Sequence, residues 1–358
     1  MIEDTFLGLN GFVWFVGVVE DRMDPQFVGR VRVRALGHHT ADKGLLPTSD
    51  LPWASVVLPS TSAGISGLGE SPSGLVEGSW VMGYFRDGEA RQEPVVLGSC
   101  PGKPAELAGT SGFYDPQQIY PKYKDEPDTN RLAVNAEANP HLALKLREAT
   151  ATTGVATAGF TSIKAADDSI IAASDSTTWD QPAIPYAAVY PYNHVYESES
   201  GHIREIDDTS GAERIHERHR TGTSYEIDKD GNQVNIIKGA HYSIISGLTA
   251  TAIAGSSDIS IDGRHKVYIN KSGAIDNHYD IQIGPNASIN ILVDKGDVNI
   301  HTLQGKINMN AGGDYNLKVK GNYTLKVDGN LTETIEKDKI SNTTGAVTHR
   351  GKTIDLNP

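Results

Sequence analysis

The sequence predicts an all-β chain: a small N-terminal barrel, a linker, and a C-terminal intertwined trimeric β-helix. Three observations carry this. First, glycine recurs every eight residues at Gly231, Gly239, Gly247, Gly255 and Gly263, and again at Gly305, Gly313, Gly321, Gly329 and Gly345, with Lys337 in the one vacant slot. A fixed period means stacked equivalent units. Second, the side chains inside the repeat alternate. Tyr315, Leu317, Val319, Tyr323, Leu325, Val327 and Leu331 share one parity, while Asn316, Lys318, Lys320, Asn322, Thr324 and Lys326 share the other. A period of two is strand geometry with one dry and one wet face. Third, five β-prone runs within residues 11–100 are separated by turn signals.

Taken in order, residues 1–10 form an N-terminal arm. It carries Glu3 and Asp4 and no basic n-region, so no leader peptide is expected. Residues 11–100 hold strand candidates at Trp14–Glu20, Gly29–Leu36, Trp53–Leu58, Trp80–Phe85 and Glu93–Gly98. Asp24-Pro25, Gly37-His38, Pro47–Asp50 and Asp87-Gly88 punctuate them. Five short strands in that length suit an OB-fold barrel. Residues 101–183 read as a linker, with a short helix over His141–Ala149 after Asn139-Pro140 and an Ala/Thr/Ser/Gly-rich stretch at Thr150–Thr178. Residues 184–230 begin with apolar Ile184–Tyr192 and continue into a densely charged passage. There Glu199, Glu205, Asp207, Asp208 and Glu213 lie among Arg204, Arg214, Arg218 and Arg220. Ion pairs between chains are expected from this segment as it feeds the shaft.

Residues 231–358 are the shaft. An octad is a strand of five or six residues and a corner, with glycine supplying a positive φ or a tight bend. One chain wound so tightly cannot enclose its own core, whereas three chains each supply one face of a prism. About sixteen octads at ~4.7 Å per interleaved strand give a shaft on the order of 75 Å. Closure on a three-fold axis hides strand edges. A single-chain solenoid is the alternative, but it usually needs roughly 20 residues or more per turn. Between Gly263 and Gly305 the phase slips by two residues, so a bulge or loop is expected in 264–304.

The remaining features exclude several functions. A net charge of −13 argues against a nucleic-acid partner. The single cysteine, Cys100, permits no intrachain disulfide and reads as a small buried residue. No apolar run is long enough to span a bilayer. The glycine-rich loop Ser60–Gly74 lacks the lysine of a phosphate cradle. Arg30, Arg32 and Arg34 alternate on one strand without stacking aromatics and read as a solvated or protein-facing surface. His216 and His219 fall in a charged surface strand; His241, His265 and His301 fall on the inward parity, where three copies of each would surround water or an ion.

Trp14–Arg34 (WFVGVVEDRMDPQFVGRVRVR), Leu51–Gly78 and Tyr190–Thr223 resemble the baseplate central spike family of T-even phages, the tail-associated lysozymes. The octad shaft is similar to that family's needle and to the VgrG spikes of type VI secretion. The resemblance implies a homotrimer in the tail baseplate of a virion, assembled in the host cytoplasm. Its barrel would sit on a trimeric hub protein, and its needle would cross the host outer membrane on contraction. A VgrG usually fuses hub domains ahead of the barrel, and a barrel beginning by residue 11 suits a separate hub chain. The C-terminal segment from Thr348 lacks a His-x-His motif, which implies a separate PAAR-like tip protein.

The lysozyme domain is the main departure. Its place, 131–183, is short, and the pattern of Glu, then Asp nine residues on, then Thr is not met from Glu137 or Glu148, which lead to Leu146 and Thr157. Two carboxylates ~5–9.5 Å apart on a rigid scaffold are needed for glycoside hydrolysis, and Asp167, Asp168 and Asp175 lie in low-complexity sequence. The expectation is a non-enzymatic spike with no catalytic, cofactor-binding or metal-binding residue. A residual hydrolase, a secretion spike and an adhesive stalk are the competing readings.

Overall fold

In the computed structural model, the structure describes residues 12–103, 105, 106, 113–115, 120, 127–134, 170, 171, 178, 179, 182, 184–269 and 278–354. Among them every regular element is a strand, apart from single 3-10 turns at Thr48–Asp50 and Gly88–Ala90. No helix among them is long and apolar enough to cross a membrane. The expected helix over His141–Ala149 and the carboxylates Glu137, Glu148, Asp167, Asp168 and Asp175 lie outside the described residues. The chain divides into two units, Met1–Asp280 and Ile281–Pro358.

Five strands, β1 (Val13–Asp21), β2 (Val31–Ala35), β3 (Trp53–Val56), β4 (Trp80–Phe85) and β5 (Pro94–Ser99), close into a barrel in the order β1-β2-β3-β5-β4. β3 meets β5 in parallel and every other pair is antiparallel. This is the OB arrangement, and each strand falls where alternation and turn residues place it. Phe15, Val19, Val31, Val33, Ala54, Val81, Phe85 and Val96 fill the interior. Each buried Val or Phe contributes about 1.5–3 kcal/mol. Gly83 is fixed by crowding: a Cβ there would sit 2.0 Å from the Val95 carbonyl oxygen.

A β-bulge explains one departure from the sequence reading. The β1–β2 register slips between Val19 and Asp21, which turns Glu20 into the barrel wall. Its carboxylate accepts two bonds from Arg34, at 2.7 and 3.0 Å, and one from the Thr48 hydroxyl at 2.7 Å. Arg34 also donates to the carbonyls of Thr40 and Leu46, so one buried guanidinium ties down the β2–β3 loop. Arg34 is therefore interior, not part of a solvated face. Arg30 and Arg32 stack on Trp53 at 5.6 and 4.5 Å, so the strand does carry an aromatic partner. Cys100, expected buried, is exposed because it follows the last barrel strand; its N–H donates to the Trp80 carbonyl.

After a two-residue pair, β6 (Ile170–Ile171) with β7 (Thr178–Trp179), comes a five-stranded antiparallel meander. It comprises β8 (Asn193–Glu197), β9 (Ile203–Asp207), β10 (Arg214–Arg218), β11 (Ser224–Ile227) and β12 (Gln233–Ile236). Leu132, Tyr186, Ala188 and Ile203 form its small apolar core. Arg22 links it to the barrel, bonding Glu199 at 2.9 Å and pairing with Glu77 at 3.3 Å.

Beyond Ile236 no strand pairing is described. The backbone instead bends at Lys238-Gly239, Ser246-Gly247, Ala254-Gly255 and Asp262-Gly263, and again at Gly312-Gly313, Lys320-Gly321, Asp328-Gly329, Glu336-Lys337 and Thr344-Gly345. The eight-residue punctuation is thus a row of corners. Of the two expected roles for glycine, a tight bend is the one seen: among the described glycines past Gly231, only Gly296 has a positive φ. The phase slip also has an identified form. Corners at 294–296 and 303–305 span three residues instead of two, each absorbing one extra residue. The apolar series accordingly moves from Ile289, Ile291 and Val293 to Val298 and Ile300, and then back to Ile307 and Met309.

Candidate assembly interface

The repeat region does not satisfy itself. From Ile237 to Ile354 every described residue is exposed. Leu317, Leu325 and Leu331 stand at 59, 57 and 67% exposure, with Val319, Val327 and Tyr323 on the same side of the alternation. Single exposed apolar residues are ordinary, but an unbroken series is an interface signal. The backbone agrees, since extended segments without strand partners leave rows of N–H and C=O groups unpaired. The corner glycines make the same point. A Cβ at Gly239, Gly247, Gly255, Gly263, Gly313, Gly321, Gly329 or Gly345 would meet nothing within 4 Å. Nothing among the described residues of their own chain requires glycine there.

The meander that precedes the repeat in the sequence is built the opposite way. Its inward positions are charged: Glu205 and Asp207 on β9, Arg214, His216 and Arg218 on β10, and Glu226 on β11. Its outward positions include Ile206 and Ile215, paired in register and 44 and 47% exposed. Arg214 pairs with Glu205 at 2.7 Å and Glu226 at 3.1 Å, and its guanidinium lies 4.9 Å from the Tyr186 ring centroid. His216 Nδ1 donates to Glu205 at 2.7 Å, and Asn193 donates to the other Glu205 oxygen at 2.9 Å. Burial alone would raise the Glu205 carboxyl, but His216, Arg214 and Asn193 hold it below its ordinary value. Burial raises Glu226, with Arg214 opposing.

Much of the charge of 199–220 is paired within one chain, Arg204–Glu217 at 3.2 Å included, and one expectation is corrected. His216 is buried beside Glu205, not on a surface strand; His219 is exposed and stacks with His202 at 4.5 Å. His241, His265 and His301 are each exposed in the single chain. No group of three or more His, Cys, Asp or Glu that could hold a metal exists among the described residues.

An open cleft of ≈ 1180 Å³ lies where pairing within the chain ends. Tyr196, His202, Tyr225, Ile237 and His241 are among its lining residues, so meander and first octad share it. Sequence reasoning missed the Ile206–Ile215 face and this cleft, because both depend on which side of the meander is covered.

Comparison with known proteins bears on this surface. Residues 36–167 match the family described as the Gp5 N-terminal OB domain, and residues 313–336 match three copies of the Gp5 C-terminal repeat. The chain is 42% identical over 281 residues to Protein Gp5 of Vibrio phage KVP40, covering 74% of this chain and 66% of that protein. It is 45% identical over 137 residues to the pre-baseplate central spike protein Gp5 of Enterobacteria phage T4, covering 36% of this chain and 23% of that protein. The chain thus spans just under two thirds of one relative and about a quarter of the other.

Proposed function

We propose that this chain, which carries a match to the Gp5 OB domain and to the Gp5 C-terminal repeat, is the central spike of a contractile-tail baseplate. Three copies braid residues 231–358 into a needle, and contraction drives that needle through the host outer membrane. The observation that carries the reading is the repeat itself: corners every eight residues, an apolar alternation, and no burial anywhere from Ile237 to Ile354 among the described residues. Such a region is stable only when other copies cover it. Three-fold winding gives each strand partners on both sides and gives the corner glycines a neighbour to be small for.

By the same reading the barrel docks on a trimeric hub, a PAAR-like protein caps the C-terminal end, nucleic acid is no partner, and assembly takes place in the host cytoplasm. The chain is a force-bearing element and not a hydrolase. A glycosidase domain of ordinary size, roughly 100–150 residues, does not fit in 131–183. Light scattering of the purified chain tests the central claim, with a trimer as the expected result and a monomer as the result that defeats it. Zymography on peptidoglycan tests the hydrolase alternative: clearing that disappears in Glu148→Gln would restore it.

A further inference from the structure

The β1–β2 loop, residues 22–30, is built around one carboxylate. Asp24 is buried and accepts backbone N–H bonds from Gln26 at 3.0 Å, Val28 at 3.0 Å and Arg30 at 3.2 Å. The Arg30 guanidinium closes the cradle at 2.7 Å. That guanidinium, with the three N–H donors, holds the carboxyl far below the usual carboxylate range against the cost of burial. The cradle projects Phe27, which is 92% exposed and has φ +56°. A bulky side chain in the left-handed region is a genuine outlier, held only where its surroundings over-determine it.

The loop does not stand alone. Gly29 abuts the glycine-rich loop so closely that a Cβ would lie 2.3 Å from the Pro72 carbonyl oxygen. That second loop repeats the design: Ser66 has φ +53°, and Ile65 and Leu68 are 66 and 64% exposed around it. Two abutting, internally bonded loops thus hold Met23, Phe27, Ile65 and Leu68 in water.

We propose that Phe27, on the loop that abuts the one carrying Ile65 and Leu68, is a preformed anchor that seats in an uncharged apolar socket on the protein to which the barrel docks. The inference rests on the docking reading above and names the contact that makes it. Charge points to a protein socket over a bilayer. Asp24 pairs with Arg30, Asp21 with Arg32, and Arg22 with Glu77 and Glu199, so no cation is left over for a lipid headgroup. The only charge in the second loop, Glu70, is negative. Rigid aromatic anchors with no ordering left to do are the usual hot spots of protein interfaces.

The test uses the full-length chain and the hub protein of the same baseplate. Wild type, Phe27→Ser, Phe27→Gly and Phe27→Leu are titrated against that hub, with melting temperature and oligomer mass measured in parallel. The expected result is binding weakened at least tenfold in Phe27→Ser and Phe27→Gly and retained in Phe27→Leu. Phe27→Gly should also melt higher than wild type, because glycine relieves the positive φ. Equal binding by all four overturns the anchor while leaving docking intact. No binding by wild type removes the docking reading and the anchor with it. Binding of wild type, but not Phe27→Ser, to phosphatidylcholine or phosphatidylglycerol vesicles in place of the hub overturns the protein socket in favour of lipid.

Discussion

The barrel and the octad region are both built from short strands with alternating apolar residues, yet only the barrel completes itself. Between Val13 and Ser99 every strand has two neighbours from its own chain, and Val19, Val81, Phe85 and Val96 are wholly out of water. From Ile237 onward the same kind of alternation leaves every described side chain exposed. The difference lies in the return path: β2 and β3 are only five and four residues long, yet loops bring them back to pair with β1 and β5. β1 is nine residues long, enough to bend round and pair with both β2 and β4. An octad turns its corner before it can meet an earlier segment of itself. Under the proposed trimer, such a chain depends on other copies for its strand partners.

The largest effect should follow from breaking that dependence. Val319→Asp with Leu325→Asp is expected to abolish the trimer, seen as a fall to monomer mass and loss of any SDS-resistant band, while the barrel stays folded. If the mass is unchanged, the apolar parity does not face other copies. Phe85→Ala should do the reverse. It empties the barrel core at a cost of about 3–5 kcal/mol, lowering the barrel's unfolding midpoint in denaturant and leaving oligomer mass alone.

Next comes the meander. Glu205→Gln removes the charge facing Arg214 and His216 and should cost about 3 kcal/mol at neutral pH. Its pH signature is specific. The folded Glu205 carboxyl lies below its ordinary value of 4.5, so its contribution is present above that pH and is lost as pH falls through the folded value. Glu226 is raised above 4.5, so its contribution is present below that value and is withdrawn as pH rises through the folded value. Acid titration followed by circular dichroism should therefore show a flatter decline below pH 4.5 in Glu205→Gln, and Glu226→Gln should gain stability at neutral pH. The smallest effect belongs to Cys100→Ser, an exposed position outside both cores, which should change stability by no more than about 0.5 kcal/mol.

What could be read from the residues follows the same division. The five barrel strands were legible because their apolar faces point inward and Gly, Pro and Asp mark the gaps. The corners were legible because glycine marks them, and of the two reasons offered, a tight bend holds at the corners while a positive φ is found at Gly231 and Gly296 among the described glycines of this region. Arg34 was misread because the bulge that turns Glu20 inward has no composition signal of its own. His216 was misread because β9 and β10 invert the usual rule, with charges covered and Ile206 and Ile215 outside. The covering comes from Leu132 and Tyr186, and Leu132 lies more than fifty positions away, where no local periodicity could announce it.

The two wider corners at 294–296 and 303–305 bear on how such a region can change over time. A residue gained inside a straight segment would send every following side chain to the wrong side until the next turn. At a corner the extra residue is swallowed, as at Gly305, whose N–H is caught by the Thr302 hydroxyl at 3.0 Å. Codons can thus be added or lost at the bends, one at a time, without redesigning the wall.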